Sequence, residues 1–114
     1  MTMPPRRAAF VDPRPVEAMR VAPRRVVSIE VRLVSSALGY VRAEVVDISR
    51  VGCCVEVNCR LPTDGFVMIR LPGLEPIGAR VAWSRSVEGG LAFHRPLGAA
   101  ILDRLIAQHP RRAD

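Results

Sequence analysis

Val27-Ser28-Ile29-Glu30-Val31-Arg32-Leu33 alternates apolar and polar side chains without a break. Successive side chains of an extended strand point to opposite faces, so this stretch has one face to bury and one to leave in water. It reads as a half-buried β-strand, and a folded domain begins at Val26. The same period returns downstream. Val41, Ala43 and Val45 alternate with Arg42 and Glu44 after a turn near Ala37-Leu38-Gly39, and Asp47 closes that run. Cys53, Val55 and Val57 then alternate with Cys54, Glu56 and Asn58 until Leu61-Pro62-Thr63-Asp64-Gly65 supplies turn chemistry. Further strands are expected over 66–71, 77–85 and 90–95, separated by Pro72-Gly73 and by Val87-Glu88-Gly89.

Six short strands with a shared apolar face predict a mostly β fold, a small antiparallel barrel whose closure removes exposed sheet edges. Its interior should hold Val27, Val45, Val55, Ile69, Val81 and Phe93. The final element differs, because Leu97, Ile101 and Leu105, with Leu102 and Ile106, follow helical spacing. Pro96 can start this C-terminal helix and Pro110 stops it, and its apolar stripe should cover one end of the barrel. A chain of 114 residues, 49% hydrophobic, fits one domain with a modest core. Aromatic residues are only 4% of it, so that core must be mainly aliphatic.

Residues 1–25 stand apart. Prolines at positions 4, 5, 13, 15 and 23, with arginines between them, oppose regular structure. The expected division is a flexible arm over 1–19, a folded domain over 20–108 that includes the last arginines of the arm, and a basic tail over 109–114. Pro23 disfavours the α conformation at Ala22, so Arg20 and Arg24 lie on an extended or turning segment rather than along one helical face.

The formal charge of +6 is carried entirely by arginine, with no lysine in the chain. G·C-rich coding produces this bias, so position says more than number. Arg6, Arg7, Arg14, Arg20, Arg24, Arg25, Arg104, Arg111 and Arg112 crowd the two ends and set up a positive field there. Such a field favours anions without choosing among nucleotide, RNA and membrane surface. Cys53, Cys54 and Cys59 cannot all pair, and the first two point to opposite faces of a strand. No CxxC spacing is present and His94 and His109 are remote in sequence, so neither a disulfide framework nor a zinc site is indicated. The cysteines read as small buried or half-buried residues in a reducing cytoplasm. No run of about 18 apolar residues exists to span a bilayer, and no apolar core follows the basic start as in a signal peptide. A cytoplasmic protein without membrane insertion is expected.

Two stretches carry chemistry. Arg20-Val21-Ala22-Pro23-Arg24 presents two guanidiniums, each a flat, permanently charged fork that can bridge phosphate oxygens, cover a purine or bond a guanine edge. In Asp47-Ile48-Ser49-Arg50-Val51-Gly52, the aspartate can accept from purine N–H groups and the serine can bond sugar or phosphate. The glycine lets the backbone turn closely beside a ligand. Each stretch is weak alone, since Asp, Ser and Gly are ordinary turn residues.

Together, Arg20-xxx-Arg24, Asp47-x-Ser49-xx-Gly52, Val81-Ala82-Trp83 and Gly90-Leu91-Ala92-Phe93, in this order among the strands, resemble the bacterial PilZ domain over roughly residues 20 to 108. The resemblance implies a six-stranded antiparallel β-barrel with a C-terminal α-helix, acting as a receptor for cyclic di-GMP in second-messenger signalling. It implies that Arg20 and Arg24 clamp guanine and phosphate, that Arg25 assists, and that Asp47, Ser49 and Gly52 form the barrel-side half of the site. Trp83 and Phe93 resemble the family's core aromatics. Two departures stand out: Val51 where the family often has a second glycine, which stiffens the loop, and the Arg24-Arg25 doublet, which blurs the register of the clamp.

The leading expectation is a stand-alone cyclic di-GMP receptor, without cofactor, that signals to a protein partner by ordering its arginine arm. Alternatives from other classes are a protein-binding adaptor without useful nucleotide affinity and an arginine-rich barrel binding RNA by charge. Intact motifs speak against the adaptor. Exposed stacking aromatics are needed for the RNA reading, and Tyr40 is almost the only candidate, so nucleic acid is disfavoured as a partner. Enzymatic activity is also disfavoured, because no Ser, Cys or Asp nucleophile has a His partner by spacing.

Overall fold

In the computed structural model, which describes residues 23–111, the alternating segments become six strands. They are β1 (Arg25–Ser35), β2 (Gly39–Ile48), β3 (Gly52–Val57), β4 (Phe66–Arg70), β5 (Ile77–Arg85) and β6 (Glu88–Phe93). All pairings are antiparallel, and the order β1-β2-β3-β6-β5-β4 closes on itself as a barrel. One helix, α1 (Ala99–Gln108), follows the last strand.

Val27, Val45, Val55, Ile69, Val81 and Phe93 meet in one core with Ile29, Leu33, Ile48, Leu61 and Val67. Each such side chain, fully buried, stabilises the fold by roughly 1.5–3 kcal/mol before entropy is charged against it. Leu102 and Leu105 of α1, with Leu97 just before it, join the same core from the end of the barrel. The helix begins at Ala99 with Gly98 as its N-cap, not at Pro96, and that cap makes no side-chain hydrogen bond. Its first turn holds no acid and its last no base, so packing rather than capping keeps it folded. After α1 the chain returns to β1: Ser28 N–H donates to the His109 carbonyl at 3.0 Å and Val27 bridges Pro110. This tail closes the barrel where β1 and β4 do not pair, since their ladder covers only Arg32–Val34 against Met68–Arg70.

Several boundaries differ from the sequence expectation. β2 does not end at Asp47 but runs to Ile48: Val46 is an extra residue against β3, β1 matches it with two residues, Val27 and Ser28, and pairing resumes beyond the irregularity. β6 starts at Glu88 rather than Gly90 and stops at Phe93 rather than Arg95, the connection from β5 being a turn at Ser86-Val87 with Ser86 at φ 51°. β4 ends at Arg70, one residue early. A second bulge, at Ala82 between the Val81–Leu91 and Trp83–Gly90 pairs, reverses the facing of every residue after it on β5. Trp83 consequently lies outside the barrel and not in the core, whereas Phe93 is inside.

Candidate functional site

The bulge at Val46 decides what the second motif can reach. Without it, Asp47 would share the inward face of Val45; with it, Ile48 is buried and Asp47 faces outward opposite Val26 and Cys54. Cross-strand partners share a face, so a row runs over the outer surface from Val26 through Asp47, Cys54 and Gly90 to Trp83.

Arg24, two residues before Val26, lies on the same side and reaches Asp47. Its Nε and Nη2 donate to Asp47 Oδ1 at 2.8 and 2.5 Å. Both bonds fall on one carboxylate oxygen, so among the described residues Oδ2 and the remaining guanidinium nitrogen keep their hydrogen-bonding capacity for another molecule. Both side chains remain partly open to solvent. Arg25 is placed differently: it pairs with Ile48, so its position alternates to the other face of β1 at the barrel rim. Arg20 and the arm over 1–19 lie outside the described residues.

Ser49 is almost completely buried, at 4% exposure. Its Oγ accepts from the Val51 N–H at 3.1 Å and turns toward the Gly52 carbonyl at 3.4 Å, while its own N–H donates to that carbonyl at 2.8 Å. The hydroxyl thus supplies the bond that holds the turn. Gly52 is a glycine for a packing reason. A Cβ there would stand 2.4 Å from the Leu91 carbonyl oxygen, a backbone atom that has nowhere to go. Val51 fits without a left-handed backbone, and its carbonyl accepts from Phe93 N–H at 2.8 Å. Sequence reasoning passed over Arg50, whose Nε donates to the Leu97 carbonyl at 3.1 Å while the two main chains exchange a further bond at 2.7 Å. The loop is thereby latched to the segment entering α1. Nothing in the local sequence signals this latch, because its partners are 47 residues apart.

At the far end of the row, the Trp83 pyrrole ring fills the space a Cβ on Gly90 would need, 2.1 Å from the indole nitrogen. Arg85 stacks its guanidinium 5.1 Å from the Trp83 ring centroid. Between indole and aspartate lies Cys54, buried although it faces outward. Burial first, then the negative charge of Asp47, push its thiol up to about 11, with Arg24 acting in the opposite direction. Burial drives the inward-facing Cys53 further up still, helped by Cys54 and Asp47. Both stay protonated at neutral pH and are poor nucleophiles. Among the described residues no cluster of His, Cys, Asp and Glu is arranged to hold a metal ion, and no helix is long and apolar enough to cross a membrane.

The arrangement offers a fork, a carboxylate oxygen and an indole along one outer face, groups suited to holding a planar, charged ligand. Comparison with curated proteins returns no match. The family model for the PilZ domain matches residues 18–108, a span that takes in the arginine pair, the Asp47–Gly52 loop, the whole barrel and α1, and the chain therefore belongs to the PilZ domain family, generally receptors that bind cyclic di-GMP.

Proposed function

We propose that this chain is a cyclic di-GMP receptor whose ligand lies on the outer face between Arg24 and Trp83, clamped by Arg20 and Arg24 and signalling to a protein partner. The observation that carries this reading is the Arg24–Asp47 contact, which joins the two halves of the motif across 23 residues of sequence with hydrogen-bonding capacity left over on both groups. A guanine presents N7 and O6 as acceptors, which a guanidinium matches, and N–H donors, which Asp47 Oδ2 matches. The phosphates are anions, and Arg20 is the second fork available to them. Ser49, Gly52 and Arg50 act one step back, by fixing the turn that follows the end of β2 where Asp47 lies. Arg25, at the rim, assists through its charge. Binding domains of this family act as receptors and adaptors rather than as enzymes, and we assign no catalytic role to Asp47 or Ser49.

The adaptor reading draws on the same ion pair, since Arg24 and Asp47 already contact each other without a nucleotide. Titration calorimetry separates the two. The receptor reading predicts saturable heat with cyclic di-GMP that persists in excess GTP; absence of heat favours the adaptor, and heat lost to GTP favours non-specific binding by charge.

A further inference from the structure

The outer faces of β1, β2 and β3 carry a second pattern, next to the Asp47 row but distinct from it. Antiparallel registry aligns like with like: Glu30 stands opposite Glu44, Glu44 opposite Glu56, and one step along the strands Arg32 stands opposite both Arg42 and Arg70. Like charges directly opposite each other in a sheet destabilise it. A register placing Glu against Arg would have neutralised both rows within the chain. Instead, among the described residues, Glu30, Glu56, Arg42 and Arg70 have no ion-pair partner. Two members are nonetheless held in place, Glu44 by the Ser28 hydroxyl, which donates at 2.5 Å, and Arg32 by stacking 5.3 Å from the Tyr40 ring centroid. These side chains border an open groove of about 990 Å³.

We infer that this face is a two-fold interface between two copies of the chain. A dyad lying parallel to the rows and midway between them carries the glutamate row of one copy onto the arginine row of the other. Position along the row is preserved, so Glu30 meets the second copy's Arg32 and Glu44 its Arg42, each pair occurring twice. The patch is self-complementary in a way no single-sign surface is: Glu30 and Glu44 meet Arg32 and Arg42 across the dyad, Glu56 and Arg70 flank them at opposite ends, and the patch as a whole is neutral. Elsewhere a chain of net charge +6 repels its copies, so this is where two of them can approach. The inference does not rest on nucleotide binding, because none of these residues belongs to the Asp47 row.

The test is sedimentation equilibrium of the full chain at low and high ionic strength, on wild type, on the double variant Glu30→Arg/Glu44→Arg and on Arg32→Glu/Arg42→Glu. Wild type should form a dimer of twice 12.5 kDa that weakens with salt. Each charge-reversed variant alone should dimerise at least about tenfold more weakly, and an equimolar mixture of the two should regain the dimer. Circular dichroism of each variant checks the fold, and recovery in the mixture itself shows that both are folded. A wild type that stays monomeric at low ionic strength overturns the proposal. So does a dimer unaffected by the reversals, or a mixture that fails to recover while each variant retains native dichroism.

Discussion

The two halves of the motif are built in opposite ways. The Asp47–Gly52 loop is part of the barrel: Ser49 is buried and spends its hydroxyl on the turn, Gly52 lies against the backbone of β6, and Arg50 ties the loop to the entry of α1. Arg24 precedes the first strand and is attached by its bonds to a single carboxylate oxygen, with both partners partly in water. One half is held by packing that removal would disrupt, the other by a surface ion pair worth under about 1 kcal/mol. Motif residues that look alike in a sequence signature therefore divide into those that keep the site standing and those that remain free to engage a ligand.

The sharpest way to break this division is Gly52→Val. Its Cβ would meet the Leu91 carbonyl oxygen at 2.4 Å, so urea denaturation should show a loss of roughly 3 kcal/mol from overpacking, with binding lost as a consequence. Unchanged stability would mean that β3 and β6 can separate freely and that the glycine is there for the ligand alone.

The thiols of β3, Cys54 in the row and Cys53 on the inner face, give a pH signature of the built-in half. Because the folded state raises the Cys54 thiol from 9.0 to about 11, its contribution is fully present below pH 9 and is lost as pH rises toward 11. Stability should therefore fall with rising pH over that range, because the unfolded chain releases the proton first. Cys54→Ala should flatten the slope measured by denaturant titration at stepped pH. A slope unchanged in that variant would place Cys54 in water rather than buried within the row.

Ser49→Ala should have a smaller effect, about 1 kcal/mol, as expected for one turn hydrogen bond. Affinity for cyclic di-GMP should weaken only in proportion to the loosened loop. If affinity collapses while the melting temperature holds, the hydroxyl contacts the ligand directly and the division must be redrawn.

The barrel was legible in the sequence because the alternation from Val27 to Leu33 and its repeats fix which residues face inward, and one closed core accommodates them all. What stayed hidden lies at the two bulges. Val46 and Ala82 are ordinary apolar strand residues, and nothing local marks either as the one that slips from the ladder. That is why Asp47 reads as a strand terminator when it is a strand residue, and why Trp83 reads as core when it lies on the outer face. Motif order set Arg24 and Asp47 on two halves of one site, but their direct contact was not read from the sequence. Nor were the contacts of Gly52 with Leu91 and of Arg50 with Leu97, because they depend on strands and loops that meet only after closure.

The central claim is that Arg24 belongs to a ligand clamp and not to a general basic surface, and affinity decides it most directly. Titration of cyclic di-GMP into wild type, Arg24→Ala and Arg111→Ala compares two variants that lose the same charge, one at the Asp47 row and one beyond α1. Charge-assisted bonds contribute about 1.5–3 kcal/mol each, so Arg24→Ala should lose tens of fold in affinity with its melting temperature nearly unchanged, Arg24→Lys should recover little of that, and Arg111→Ala should bind as wild type. Equal, small losses in Arg24→Ala and Arg111→Ala would contradict the claim and return Arg24 to the solvated charge of the chain end.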